Sequence, residues 1–173
     1  MSGEGRPAEQ PIDASGLRVA IAATRWHPEV TDQLLARAVA AVEACGAGEP
    51  LIVRVPGAVE LPVVAAELAR QHDAVVCLGA VIRGGTPHFD YVCDAVTYGL
   101  TRAALDTGTP VGNGVLTCDT PAQAVDRSGA EGSAEDKGWD AAVAAMEVAV
   151  VLRSLRGERG RPGQWSGQSG AIR

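Results

Sequence analysis

Aromatic residues are scarce: Phe, Tyr and Trp together make up 3% of the chain, as one Phe, two Tyr and three Trp. A core built around large rings is thereby excluded. Packing must come from Val, Ala and Leu, which suits small-residue helices lying close on a Val-rich sheet. Basic charge is also short, with 15 Lys and Arg against 21 Asp and Glu, a net −6. A general nucleic-acid binder would carry a basic face, so nucleic acid is not the expected partner. No apolar run approaches the ~18 residues of a membrane span, so no membrane role is expected. The first fifteen residues (MSGEGRPAEQPIDAS) lack a basic segment followed by an apolar one, so no secretory signal is expected. Cys45, Cys77, Cys93 and Cys118 form no C-x-x-C pair, and each lies in or beside a predicted regular element. They read as reduced small hydrophobes of a cytoplasmic protein, not as disulfides or metal ligands.

What is present fits one domain: 173 residues, 46% of them hydrophobic, suffice for one full core and are short for two. Residues 1–16 are rich in Gly, Pro, Glu and Ser and read as a flexible segment. Residues 17–156 form the domain, and the glycine-rich stretch 157–173 reads as a second flexible tail in which Trp165 is incidental. Within the domain, Leu17–Ala23 and Leu51–Val55 read as buried strands. Ala74–Ile82 is continuously apolar, as a parallel strand covered on both faces should be, and Val111–Leu116 reads as a fourth strand. Helical spacing runs over Pro28–Cys45, Glu60–Arg70, residues 88–106, Pro121–Asp126 and Lys137–Leu155. Strand alternating with helix implies βαβ units and a parallel sheet with helices on both faces. In such sheets ligands bind beyond the carboxyl ends of the strands. That rule selects Thr24–Pro28, Val55–Glu60, Val81–His88 and Asn113–Asp119.

The third of these segments (VIRGGTPH) carries the most chemistry. Gly84 and Gly85 let backbone approach a ligand without an intervening Cβ. The helix expected to begin near His88 offers orphan amide donors and the positive end of its dipole, an anion site for which phosphate is the usual occupant. Neither G-x-x-x-x-G-K-[ST] nor G-x-G-x-x-G is present. A plain tight turn, with Thr86 as N-cap and Pro87 at the first helical position, is the competing reading. His88 favours the site, because an imidazole in that first turn can act as base and then as acid. His72 reads as a surface residue at a helix end; His27 either lines the site or caps the helix at Pro28. Arg127 offers a bidentate guanidinium for phosphate, or is a solvated arginine, and the same alternatives stand for Arg83 and Lys137. Trp26, at the end of the first strand, could stack on a planar heterocycle. Glu60 is either a favourable first-turn acid or an acceptor for ligand hydroxyls and amines, and Asn113 could supply an amide edge.

Four ordered motifs carry a resemblance: VPGAVELP (Val55–Pro62), GAVIRGGTPHFDYV (Gly79–Val92), GNGVLTCDT (Gly112–Thr120) and DRSGAEGSAEDKG (Asp126–Gly138). From about Leu17 to Arg156 the chain resembles the lumazine synthase family, in its actinobacterial form. The resemblance implies a three-layer α/β/α sandwich with a four-stranded, mainly parallel, flavodoxin-like sheet. It implies condensation of 5-amino-6-(D-ribitylamino)uracil with 3,4-dihydroxy-2-butanone 4-phosphate, the penultimate step of riboflavin biosynthesis, with no cofactor and no metal. Gly85 and Thr86 would then donate to the phosphate, Arg127 would close over it from a neighbouring subunit, and His88 would transfer protons. Trp26 would stack on the pyrimidine and Ala58, Val59 and Glu60 would hold the ribityl chain. Val81 and Ile82 would meet the uracil edge, with Arg83, Asn113 and Lys137 also at that substrate.

The chain departs from many members in carrying Trp26-His27 for Phe-Asn, Asn113 for Phe, and Gly85 for a residue with a side chain. As partners the resemblance implies the two substrates and identical subunits sharing sites. It makes riboflavin synthase a further candidate partner. The Ser128–Asp136 loop, longer than in shell-forming members, points to a homopentamer in preference to an icosahedral 60-mer. The alternatives are an archaeal-type riboflavin synthase and a non-catalytic lumazine- or flavin-binding shell protein.

Overall fold

A computed structural model describes residues 10–158. Most of the expected C-terminal tail, Trp165 included, lies outside the described residues. The order is β1 (Val19–Thr24), α1 (Pro28–Ala44), β2 (Leu51–Val55), a 3-10 turn (Ala58–Glu60) and α2 (Leu61–Ala69). It continues with β3 (Ala74–Ile82), α3 (His88–Thr107), β4 (Val111–Cys118), α4 (Pro121–Val125) and α5 (Lys137–Glu158). The four strands form one sheet in the order β2-β1-β3-β4, and every pair is parallel. The parallel sheet covered on both faces that the alternation predicts, and the three-layer flavodoxin-like sandwich that the resemblance implies, are the fold observed.

Period-two alternation divides the core between the two faces. Ile21, Val76 and Leu78 point to the layer of α1 and α5, where they meet Leu34, Ala38, Ala142 and Met146. Ala20, Ala22, Val75 and Cys77 point to the layer of α2 and α3, against Leu61, Ala65, Val96 and Leu100. With so few rings, close approach replaces bulk. A Cβ added to Gly114 would fall 2.6 Å from Leu78 Cδ2 and 3.2 Å from Ala141 Cβ, so the glycine is what lets α5 lie directly on β4.

Three boundaries differ from the reading of the sequence. The packed region starts before Leu17: Ala14 is fully buried and its amide donates to Cys45 O at 2.8 Å. Helix α5 runs to Glu158, past Arg156. Strand β4 extends to Cys118, because its alternation of buried Gly112, Gly114, Leu116 and Cys118 continues beyond Leu116. Among the described residues no helix is long and apolar enough to cross a membrane.

Candidate active site

The ends of β1 and β2 are tied together, with Arg25 N–H donating to Val55 O at 3.0 Å. Arg54 reaches across to donate to Thr24 O at 3.2 Å while pairing with Asp32 on α1. This fastening holds Trp26 outward, 66% exposed. Its indole stands over Gly57: a Cβ there would lie 3.6 Å from Trp26 Nε1 and 3.1 Å from Glu60 Oε2. An aromatic face and a carboxylate therefore converge beside the 3-10 turn, whose Val59 and Glu60 are exposed and whose Ala58 rests on the α2–α3 core. His27 takes the left-handed conformation (φ 52°) at the N-cap of α1 but makes no side-chain capping bond. Its ring tilts at 57° to Trp26, with centroids 6.2 Å apart, so it lies beside the same edge.

At the end of β3, Val81 and Ile82 cannot both face a ligand through their side chains, since alternation turns them to opposite faces. Ile82 packs on the α1–α5 core, which leaves its backbone as its only ligand-facing part. Beyond it Gly84, Gly85, Thr86 and Pro87 are all exposed, and a Cβ on either glycine would meet nothing within 4 Å. Pro87 is the N-cap of α3 (φ −63°, ψ −4°) and no side chain caps the helix. The Thr86 cap required by the plain-turn reading is thus not formed. Proline's near-helical angles place the cap one residue later, and its ring offers no acceptor for the first-turn amides. His88, exposed in that first turn, stands beside those donors.

Arg83 is engaged elsewhere. Its Nε donates to Asp119 Oδ1 at 2.7 Å, its Nη2 to Asp90 Oδ1 at 3.1 Å, and its guanidinium carbon lies 4.1 Å from the centre of the Phe89 ring. The hydrogen bonds to Asp119 and Asp90 raise its pKa above the ordinary arginine value. Arg127 Nη1 donates to Gln123 O at 2.9 Å and its Nε lies 3.4 Å from Glu135 Oε1. Lys137, half-buried, pairs with Glu135 at 2.5 Å and Asp140 at 3.3 Å, so its ammonium is held inside an ion cluster and not offered outward.

The loop carrying Arg127 and Lys137 is fastened to α1: Gln33 donates to Gly129 O at 2.9 Å and Arg37 pairs with Asp136 at 2.6 Å. It therefore sits on the opposite face of the sheet from α2 and α3. Asn113 is not at the carboxyl edge, as its segment was expected to be. It pairs in register with Cys77 in mid-sheet, is exposed on the β4 edge, and accepts from Val115 N–H at 3.0 Å.

One chain thus brings together Trp26, Gly57, Glu60, the Val81 edge, Gly84–Thr86 and His88. It leaves Asn113 in mid-sheet and Lys137 in its ion cluster, and it ties Arg127 to the end of β4 through Gln123, whose side chain accepts from the Asp119 amide. The sequence reading missed Asp90 and Asp119, the partners of Arg83. It also missed Glu135, which joins Arg127 to Lys137 and whose signal was an acid two positions before a lysine in a glycine-rich loop.

Comparison with known proteins bears on this geometry directly. The profile of the family described as 6,7-dimethyl-8-ribityllumazine synthase matches residues 16–153. A protein of that name from Saccharopolyspora erythraea is 65% identical over 162 residues, covering 93% of this chain and 98% of the relative. One from Thermobifida fusca is 63% identical over 161 residues, 93% of this chain and 94% of the relative. One from Corynebacterium efficiens is 62% identical over 160 residues, 92% of this chain and all of the relative, at 100%.

Proposed function

The chain belongs to the 6,7-dimethyl-8-ribityllumazine synthase family, and from that premise we propose how its residues carry the reaction. It is a transferase of riboflavin biosynthesis that condenses 5-amino-6-(D-ribitylamino)uracil with 3,4-dihydroxy-2-butanone 4-phosphate. Dismutation of two lumazines and non-catalytic binding are not favoured. The phosphate is held by the amides of Gly85 and Thr86 at the start of α3. The observation that carries this is the uncapped first turn of α3 behind two glycines with open space around them. Preorganised amides at a helix N-terminus bind an anion without reorganising, which also serves phosphate as it departs.

His88, beside that turn, takes a proton as the substrate amine attacks the ketone, and returns one as water leaves to give the Schiff base. It then helps remove the proton whose loss expels phosphate. An imidazole that takes a proton in one step holds it ready to return in the next. Trp26 stacks on the pyrimidine, while Glu60 and the backbone of Ala58 and Val59 receive the ribityl chain. The Val81 and Ile82 backbone meets the uracil edge.

Arg127 completes the phosphate site of a neighbouring subunit, and Lys137 and Asn113 reach the ribitylaminouracil from that neighbour too. Within its own chain the Arg127 guanidinium is turned to the Gln123 carbonyl and to Glu135, which supports a role at the neighbour's phosphate. Tyr91, Tyr98 and Leu105 repeat every seventh residue along α3 and are 73%, 68% and 76% exposed, a stripe suited to burial between subunits. The assembly is a cytoplasmic homopentamer, and riboflavin synthase is the enzyme that would take its product. Co-assembling the impaired His88→Ala and Arg127→Ala chains tests the shared site. Lumazine formation should return, since some interfaces then pair two intact halves; no recovery in verified mixed oligomers refutes sharing. Native mass spectrometry showing a 60-mer would refute the pentamer.

A further inference from the structure

We propose that Arg83 is a positioning residue that holds the Gly84–Pro87 turn in its phosphate-binding shape, and not a ligand of the ribitylaminouracil. The inference rests on the reading of that turn as the phosphate site. A connection with two successive glycines and no side-chain cap has little of its own to fix it. Arg83 opens that connection and reaches over it to the helix that closes it. Its Nη2 and Nη1 fork onto Asp90 at 3.1 and 3.4 Å, and its guanidinium lies 4.1 Å from the centre of the Phe89 ring. The turn is in this way closed from its first residue to the first turn of α3.

A second fastening runs sideways. Arg83 Nε donates to Asp119 at 2.7 Å, and its amide donates to Cys118 O at 2.9 Å. The Asp119 amide is in turn bonded to the Gln123 side chain at 2.8 Å, and the Gln123 carbonyl accepts from Arg127 at 2.9 Å. The planar fork and the stacking face are both in use, which is chemistry a lysine cannot reproduce. The same guanidinium also neutralises two carboxylates beside an anion site, where unpaired they would repel phosphate.

The test compares KM for each substrate and kcat in the assembled enzyme for wild type, Arg83→Lys, Asp119→Asn, the double variant and Gly85→Pro, with thermal melts throughout. Arg83→Lys keeps the charge and loses the fork. It should raise KM for the butanone phosphate about tenfold or more, the scale on which small misplacements at a reacting site act. KM for the ribitylaminouracil should stay near wild type. Asp119→Asn should move the same constant, and the double variant should be no worse than Arg83→Lys alone, because one clamp is lost once.

A rise confined to the ribitylaminouracil KM makes Arg83 a ligand and overturns the proposal. So does an unchanged phosphate-substrate KM, or an equal change for both substrates that follows the loss of thermal stability. Should Arg83→Lys not fold, Asp119→Asn decides the matter by the same constants. Gly85→Pro removes an amide donor without touching the clamp. If it leaves the butanone phosphate KM unchanged, the phosphate reading of the turn fails. If it raises that KM while Arg83→Lys does not, only the clamp fails.

Discussion

Gly138→Ala sets helix propensity against packing at the start of α5. Alanine is favoured over glycine in a helix by at most ~1 kcal/mol, and by less in a first turn. The added methyl, however, would meet the backbone of α1: the carbonyl carbon and Cα of Leu34 lie 3.0 Å from its position, with the carbonyl oxygen closer still. Helical backbone cannot rotate aside as a side-chain tip can, so α5 must lift from α1 by roughly 0.5–1 Å, a gap that forfeits a quarter to a half of each dispersion well. The contacts affected are those that seat Ala142, Ala145 and Met146 against Leu34 and Ala38. Overpacking of this kind costs ~1–3 kcal/mol, and the oxygen contact places it at the upper end, so the net loss is about 2 kcal/mol. For a chain of this size that lowers Tm by about 4–8 °C. Differential scanning calorimetry checks it against Gly48→Ala, where the methyl meets nothing within 4 Å and Tm should barely move. A Gly138→Ala protein as stable as wild type would refute the reasoning, by showing that the two helices have slack.

Burial pushes the Cys77 thiol from 9.0 up to about 12. Between those values the unfolded chain binds fewer protons than the folded one, so stability is intact below pH 9 and falls above it, by up to ~1.4 kcal/mol per pH unit. Relative to Cys77→Ala, wild type should therefore lose ground above about pH 9 in denaturant titrations; parallel curves would contradict this. Trp26→Ala should raise KM for the ribitylaminouracil about two- to tenfold, the loss of one stacked pair of ~0.5–1.5 kcal/mol. That substrate should also quench wild-type tryptophan fluorescence, and an unchanged KM would remove Trp26 from the site.

The alternation of apolar runs and helical spacing made the sandwich legible, because a parallel sheet covered on both faces writes itself as short Val-rich strings. The strand-end rule then picked out Trp26, Glu60 and the Gly84–His88 turn, which the fold does place along one edge of the sheet. What it could not find depends on separations invisible along the chain. Arg83 looked like a free cation beside a ligand site, yet its partners Asp90 and Asp119 stand 7 and 36 positions away. Lys137 read as a pocket lysine because neither the approach of Asp140 one turn later nor that of Glu135 is visible without the fold. Asn113 was assigned to a strand end because β4 was read as the short run Val111–Leu116, whereas its alternation runs on to Cys118 and leaves Asn113 in mid-strand. The fastening of the 128–136 loop to α1 by Gln33 and Arg37 joins residues 96 and 99 positions apart. Only the folded chain reveals that.

The central claim, that His88 beside an amide-lined phosphate turn moves the protons of the condensation, is tested most directly by one number. It is kcat of His88→Ala at saturating concentrations of both substrates, followed by the appearance of the fluorescent lumazine. The account predicts a fall of roughly 10²-fold, the lower end of general acid–base catalysis, with both KM values close to wild type. An unchanged kcat would contradict it and return His88 to an exposed residue of a helix start.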